Sequence, residues 1–414
     1  MLPSRKALGL EEAMRILVAD EFPAKHLELL RGLGLTVDYR PELKAPDLPE
    51  AARQASILVV RSTEVNDPVF AQASCLSLVV RAGAGVNTID VKAASARGVY
   101  VANCPGQNAI AVAELTLGLI LSVDRRIPDN VAALREGKWK KKKFSQARGL
   151  HGRAIGIVGA GNIGRAVGQR ALAFGMHVLA CSRSLTPQKA RALGFEWAES
   201  PLALARASDV LSVHLPAGTE TKGIISAQVL AAMPTGALFV NTSRPDVVDQ
   251  AALLSEAAAG RIWVATDVFD KEPKTGEADF RSELGQLPNV YGTHHIGAST
   301  DQAQDAIAEE TVSIVDSFLN AGVVPNCVNI ARKTPARFQL IVRHHDRVGV
   351  LANVLDAVRE AGINAQKMEN TVFDGADAAC CKIQLDSKPS EEVLARIRGR
   401  SDEIIFADLV ELRG

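Results

Sequence analysis

Gly159-Ala160-Gly161-Asn162-Ile163-Gly164 follows directly on the apolar run Ala154-Ile155-Gly156-Ile157-Val158 and opens a segment with helical patterning. Glycines at that spacing permit a tight turn and let the backbone approach a pyrophosphate, while the helix N-terminus offers unpaired N–H groups and the positive end of its dipole. The chemistry this indicates is dinucleotide binding, with Asn162 and Ile163 inside the loop. About 20 residues further on, a site for NAD places an acidic residue against the ribose 2′-hydroxyl. This sequence has Ser182 there, followed by Arg183 and Ser184. An arginine without a neighbouring carboxylate suits a 2′-phosphate, and an arginine stacked on adenine suits NAD equally, so NAD and NADP both stay open. Three more segments follow successive apolar runs: Asn241-Thr242-Ser243-Arg244, Asp267-Val268-Phe269-Asp270-Lys271-Glu272-Pro273 and Thr293-His294-His295-Ile296-Gly297-Ala298-Ser299-Thr300. They bring guanidinium, carboxylate and imidazole to the carboxyl edge of one sheet, where doubly wound folds bind ligands. Taken singly, Arg244, Glu272 and His295 have ordinary explanations as a surface charge, a loop residue before proline and a satisfied polar group.

Together these segments, in order with Val60-Arg61-Ser62-Thr63, Arg81-Ala82-Gly83-Ala84-Gly85-Val86-Asn87, Asn103-Cys104-Pro105-Gly106-Gln107-Asn108 and Ala113-Glu114, resemble the D-2-hydroxyacid dehydrogenase family. The resemblance runs from Met14 onward and is closest to the branch that oxidises 3-phospho-D-glycerate. It implies that His295 exchanges the proton of the substrate hydroxyl, a task suited to imidazole, and that Glu272 orients the ring and stabilises the imidazolium. Arg244 would hold the substrate carboxylate or carbonyl oxygen through its planar fork and stabilise the developing alkoxide. Asp267 would meet the nicotinamide carboxamide, and His214, Thr242, Ser243, Gly297 and Ala298 would complete the cofactor site. The backbone of Gly83-Ala84-Gly85, with Arg61, Ser62, Asn108 and Lys141 of the run Lys140 to Lys143, would bind the substrate and its phosphate.

The C-terminal part resembles an ACT regulatory domain. There the resemblance places an amino-acid effector such as L-serine at Asp346, Val348, Gly349 and Asn364, between paired domains of a homodimer or homotetramer. Alternatives are an NADPH-dependent glyoxylate or hydroxypyruvate reductase, favoured by Ser182-Arg183, and a non-catalytic NAD(H)-sensing co-repressor. Three positions depart from the family pattern: His294 stands where proline usually precedes the histidine, Pro245 where glycine follows the arginine, and Ser182 where the ribose-binding acid is expected.

The elements that position these residues read as three domains. Runs Ile16 to Ala19, Ile57 to Val60 and Leu78 to Arg81, separated by helical patterning, imply a doubly wound, flavodoxin-like parallel sheet over 14–109, rejoined by 301–333. Ile110 to Ser122 is apolar almost all round and reads as a helix buried between domains. The segment 110–300 repeats the βαβ pattern through Val178 to Cys181, Val210 to His214, Leu238 to Asn241 and Ile262 to Asp267, a second doubly wound sheet of Rossmann type. By the resemblance, the helical stretch Asp301 to Leu319 packs back on the first domain, so that the chain crosses between domains twice. After the linker Asn329 to Ala336, 334–414 reads as βαββαβ, a ferredoxin-like unit.

A chain of 414 residues exceeds one ordinary core, and 47% hydrophobic residues with only 4% aromatic suit an α/β protein packed through small side chains. Forty-seven basic against forty-seven acidic residues give no global field for nucleic acid or an anionic membrane. The six cysteines show no CxxC pair and read as buried small hydrophobes in a reducing compartment, with no metal site. The polar N-terminus, with residues before Met14 as a tail, and the absence of a long apolar run lead to the expectation of a cytoplasmic protein.

Overall fold

A computed structural model describes residues 14–273, 277–331 and 334–412; the segment read as an N-terminal tail lies outside them. The chain forms two compact units that meet at Asn329 and Ile330. The junction falls inside the linker read from sequence, of which 332–333 lie outside the described residues.

The first sheet consists of β1 (Arg15–Val18), β2 (Thr36–Tyr39), β3 (Ile57–Val60), β4 (Leu78–Arg81) and β5 (Tyr100–Asn103). All its pairings are parallel, in the order β2-β1-β3-β4-β5, the flavodoxin winding. Its middle strands are buried apart from Arg15 and Arg81 at their ends and give the apolar runs seen in sequence. By contrast, β2 is a half-exposed edge strand whose Thr-Val-Asp-Tyr carries no such run.

The second sheet joins β6 (Ala154–Val158), β7 (His177–Cys181), β8 (Glu196–Trp197), β9 (Val210–Val213), β10 (Leu238–Asn241), β11 (Trp263–Thr266) and β12 (Val290–Gly292). It is again wholly parallel, ordered β12-β11-β10-β9-β6-β7-β8. The winding reverses at β6, which has β7 on one side and β9 on the other. The crevice beyond the carboxyl ends of β6 and β9 is therefore the topological switch point where such sheets bind ligands.

Two helices tie the sheets together. Helix Ala109–Arg125 packs Leu117, Ile120 and Val123 into the core formed by Ile155, Ile157, Leu238 and Val240. Its burial is not all round: Ile110, 54% exposed, lies with Glu114 and Gly118 on an open stripe at four-residue spacing. Helix Asp301–Ala321 starts at Thr300, whose hydroxyl accepts from Ala303 N at 3.2 Å, and ends at Gly322 with φ 66°. Its Ile307, Ala308, Ile314 and Val315 join Ile16, Leu30, Val59 and Val80 in the core of the first sheet. Val101 N then donates to Asn329 Oδ1 at 2.9 Å. The chain thus leaves the first sheet after β5 and returns to its core after β12.

In the second unit β13 (Phe338–His345), β14 (Ala365–Val372), β15 (Ala378–Leu385) and β16 (Ile404–Glu411) form an antiparallel sheet ordered β14-β15-β13-β16. Helices Val350–Glu360 and Glu391–Arg398 cover one face, burying Val354, Val358, Leu394 and Ile397 against Leu340, Val342 and Ile383. This is the ferredoxin-like βαββαβ arrangement.

Of the six cysteines expected to be buried, Cys104, Cys181 and Cys381 are, whereas Cys327 and Cys380 are half-buried and Cys75 is exposed. Cys75 stands in a turn between a helix and β4, outside any apolar face.

Because Ile314 is fully buried where the returning chain meets the first sheet, Ile314→Ala should lower unfolding free energy by about 2–5 kcal/mol. Urea denaturation followed by circular dichroism measures this.

Candidate active site

The glycine loop is built for close backbone approach. At Gly159, with φ 99°, a Cβ would lie 2.3 Å from His214 O; at Gly164 it would lie 2.0 Å from Gly159 O. Neither backbone atom can yield, so only glycine fits. Gly161 differs: a Cβ there would meet nothing within 4 Å. It is the N-cap of helix Asn162–Ala173, whose first-turn N–H groups no side chain caps. That cradle fits a dinucleotide pyrophosphate. Gly159 N donates to Cys181 O at 2.9 Å and His214 N to Val158 O at 2.8 Å, which fixes the loop between β7 and β9. Burial pushes the His214 imidazole down to about 3, so it is neutral at working pH. Its Nε2 pairs with Ser212 Oγ at 2.9 Å. Asn162 Nδ2 lies 2.4 Å from where Gly106 would carry a Cβ, so the loop meets the segment that leaves the first sheet.

Asp267, 1% exposed, stands at the end of β11 and holds the loop after β12. Its Oδ1 accepts from Thr293 Oγ1 at 2.6 Å and Ile296 N at 2.9 Å, and its Oδ2 from Gly297 N at 2.8 Å. His295 N donates to Asp267 O at 2.8 Å. Between these anchors His295 adopts φ 52°, a left-handed backbone that costs a non-glycine residue about 1–2 kcal/mol. Lys271, next to Glu272, has φ 58°. The two partners thus project from constrained turns. Their side chains meet: His295 Nδ1 is 2.7 Å from Glu272 Oε2, while Glu272 Oε1 accepts from Phe269 N at 2.6 Å. Burial raises the Glu272 carboxyl, but hydrogen bonds from His295 and Phe269 N–H and the charges of His295 and Arg244 outweigh it, leaving the group below the ordinary carboxylate range.

Arg244 projects from an equivalent turn after β10, where Asn241 Oδ1 accepts from Ser243 N at 3.0 Å and Ser243 Oγ at 2.8 Å. Asn241 Nδ2 donates to Arg244 O at 3.0 Å. Pro245, the departure noted in sequence, leaves Arg244 extended at φ −143°, ψ 143°. Burial pushes its guanidinium down and the Glu272 charge partly restores it. Opposite lies the first sheet: a Cβ on Gly85 would be 3.2 Å from Arg244 Nη2, and one on Gly83 would be 1.7 Å from Arg81 Nη1. Burial, then the like charges of Arg244 and Arg61, push the Arg81 guanidinium down, and its Nε is buried without a partner. Three guanidiniums therefore share one wall. Sequence reasoning nominated Arg61 and Arg244 but passed over Arg81, although it opens the Arg81-Ala82-Gly83 segment.

The remaining nominated residues divide. Ser62 and Thr63 both donate to Asp20, whose carboxylate also takes Arg61 N at 2.7 Å, so the Ser62 hydroxyl shapes the turn. Thr242 Oγ1 pairs with Thr116 Oγ1 at 2.9 Å. Asn108 Oδ1 is buried and unpartnered beside the crossing. Ala298 follows Gly297, where a Cβ would be 3.0 Å from Asp267 Oδ2. Lys141 is not brought to this site within the chain. Its helix, Lys141–Phe144, lines a cavity of about 180 Å³ with Arg153, Gly236, Leu238 and Trp263, at the amino edge of the second sheet. Helix Ala109–Arg125, followed by helix Ile127–Arg135, carries the run away from the carboxyl edge. In the second unit, Asp346, the fully exposed Val348 and Gly349 follow the end of β13, whereas Asn364 precedes β14 at the level of Phe338. Eight-residue strands separate them by roughly 23 Å, so one copy does not assemble all four.

A family model described as D-isomer specific 2-hydroxyacid dehydrogenase, NAD binding domain, matches residues 117–297. The chain is 38% identical over 360 residues to the D-3-phosphoglycerate dehydrogenase of Mycobacterium tuberculosis, across 85% of this chain and 66% of that protein. It is 39% identical over 301 residues to the hydroxypyruvate reductase of Thermotoga maritima, across 72% of this chain and 96% of that one. Among solved structures, the NAD+-bound 3-phosphoglycerate dehydrogenase of Entamoeba histolytica matches at TM-score 0.65 and 25% identity, over 77% of this chain and 99% of that one. The chain spans about 66% of the length of the first phosphoglycerate dehydrogenases it matches.

Since the folded Glu272 carboxyl lies below its unfolded value, its stabilising contribution is present above the unfolded pKa and is lost as pH falls through the folded one. The His295–Glu272 pair should therefore survive acidification through the ordinary carboxylate range and break only beneath it. Histidine ring resonances in an NMR titration report this; loss of the pair already near neutrality would contradict it.

Proposed function

We propose that this chain, which belongs to the D-isomer specific 2-hydroxyacid dehydrogenase family, oxidises 3-phospho-D-glycerate to 3-phosphohydroxypyruvate with NAD or NADP. The observation that carries the reading is the grouping of Arg61, Arg81 and Arg244: Arg61 and Arg81 stand at the ends of the neighbouring strands β3 and β4, and Arg244 Nη2 reaches Gly85 just beyond them, which matches a substrate with a carboxylate at one end and a phosphate at the other. The relatives named phosphoglycerate dehydrogenases support it.

A nicotinamide cofactor bound at the switch point supplies the acceptor for the hydrogen leaving the substrate carbon. The chain's own residues do the rest. Helix Asn162–Ala173 and its glycines seat the pyrophosphate. Arg244 clamps the substrate carboxylate and its hydroxyl oxygen, and the N–H groups of Ala84 and Gly85, beyond the turn in which Gly83 N donates to Arg81 O, complete an anion nest. His295 Nε2 takes the hydroxyl proton, its other nitrogen being held by Glu272. The resulting imidazolium is stabilised by that carboxylate. Arg81 and Arg61 receive the phosphate. Asp267, whose carboxylate is occupied by the loop, acts by positioning His295, the proton acceptor.

The hydroxypyruvate reductase of Thermotoga maritima supports a second reading, reduction of a small 2-oxo acid. Such a substrate carries one anionic group and leaves the additional arginines without a partner.

We assign the flavodoxin-like sheet to substrate, the Rossmann sheet to cofactor and the C-terminal unit to regulation as an ACT domain, in a cytoplasmic homo-oligomer. Because Asp346 to Gly349 and Asn364 lie at opposite ends of one copy, an effector such as L-serine would be held between two. No helix among the described residues is long and apolar enough to cross a membrane.

His295→Ala should lower kcat by about 10²–10⁴-fold while NADH binding persists. Arg81→Ala should raise KM for 3-phosphoglycerate on the order of 10–100-fold and leave that for unphosphorylated glycerate nearly unchanged. Steady-state kinetics with both acids measures these effects; equal losses on both would remove the phosphate assignment, and unchanged turnover in His295→Ala the catalytic one.

A further inference from the structure

Arg183, nominated for the adenosine end of the nucleotide, is not a free cation. It forms an ion pair with Glu220, a residue the sequence reasoning passed over. The two come from different turns. Arg183 follows β7, in a turn closed by Leu185 N donating to Ser182 O at 3.1 Å, with Trp197 Nε1 donating to Leu185 O at 3.1 Å. Glu220 follows β9, in a compact turn where Thr221 Oγ1 donates to Pro216 O at 2.6 Å and Thr221 N to Gly218 O at 3.1 Å.

Strands β7 and β9 flank β6 on either side, so the turns stand two strand spacings apart, roughly 10 Å. Both are tied to the start of the glycine loop, Cys181 O by accepting from Gly159 N and His214 N by donating to Val158 O. A nucleotide whose pyrophosphate rests on helix Asn162–Ala173 has its adenosine ribose over this gap. The side chains are 81% and 71% exposed, and a pair so open to water contributes little to folding. Its placement bears on the ligand instead. Ser182 leaves the usual ribose-binding acid missing, and Glu220 brings a carboxylate to the same place from the opposite side.

Resting on the cofactor reading above, we propose that Glu220 sets nucleotide specificity: its carboxylate accepts the ribose hydroxyls and, by engaging Arg183, keeps a 2′-phosphate out, so that the site selects NAD(H) over NADP(H). A 2′-phosphate here would compete with Glu220 for Arg183 and face a like charge; a ribose hydroxyl finds an acceptor. Arg183, which by itself suits NADP, is thereby turned into the group that positions Glu220.

The test uses the full chain and equilibrium binding of NADH and NADPH, followed by fluorescence, for wild type, Glu220→Gln and the double variant Glu220→Gln/Arg183→Ala. Wild type should bind NADH more tightly. Glu220→Gln should move the ratio of dissociation constants at least tenfold toward NADPH with an unchanged Tm, and the double variant should lose that gain. The shift should shrink at high salt, as expected of an exposed charge. A ratio within twofold of wild type in Glu220→Gln, or a wild type that prefers NADPH, overturns the assignment while the cofactor reading stands. A wild type that binds neither nucleotide removes both.

Discussion

One buried carboxylate holds the geometry on which the candidate site depends. Asp267 gathers Thr293, Ile296 and Gly297 around its two oxygens, and its own carbonyl takes His295 N. The loop is thereby fixed with His295 in a left-handed conformation it would not adopt alone. Strain at one residue is offset by several charge-assisted bonds in a dry environment, each worth more than its solvent-exposed counterpart. The imidazole then reaches Glu272, which is itself aimed by Phe269 N. Position passes from the strand ends to the ring through hydrogen bonds, with little freedom at any step.

The same construction recurs after β10, where Asn241 does for Arg244 what Asp267 does for His295. Neighbouring strands of one parallel sheet thus deliver a guanidinium, a carboxylate and an imidazole to one edge. The first sheet supplies the facing wall because helices Ala109–Arg125 and Asp301–Ala321 carry the chain out and back. Glycine at 83 leaves the space that the Arg81 guanidinium fills, and glycine at 85 lets Arg244 Nη2 approach closely. Burial of several like charges is unfavourable unless an anion joins them. On the proposed reading, a doubly anionic substrate offsets the cost of arranging these guanidiniums, which would make the cluster a determinant of selectivity.

Much of this was legible in the sequence. The buried strands, the glycine loop, the helix Val350–Glu360 and the strand Ala378–Leu385 announce themselves through apolar runs, periodicity and turn residues, which are local properties. Edge and very short strands did not: β2 is polar and half exposed, and β8 has only two residues, so neither leaves a pattern. Asp20, Asn241 and Arg81 were likewise silent, since an acid, an amide or an arginine beside a strand end carries no mark of what it will bond.

The residue types at the site and their order along the chain were set by sequence alone, because tight turns and strand ends impose their requirements over a few neighbouring positions. Which groups meet was decided by tertiary structure. The union of three arginines, the ion pair of Arg183 with Glu220, the removal of Lys141 to the opposite sheet edge and the separation of Asn364 from Asp346 all depend on strand order. Strand order arises from long-range packing of whole faces, where distances in space bear no fixed relation to distances along the chain.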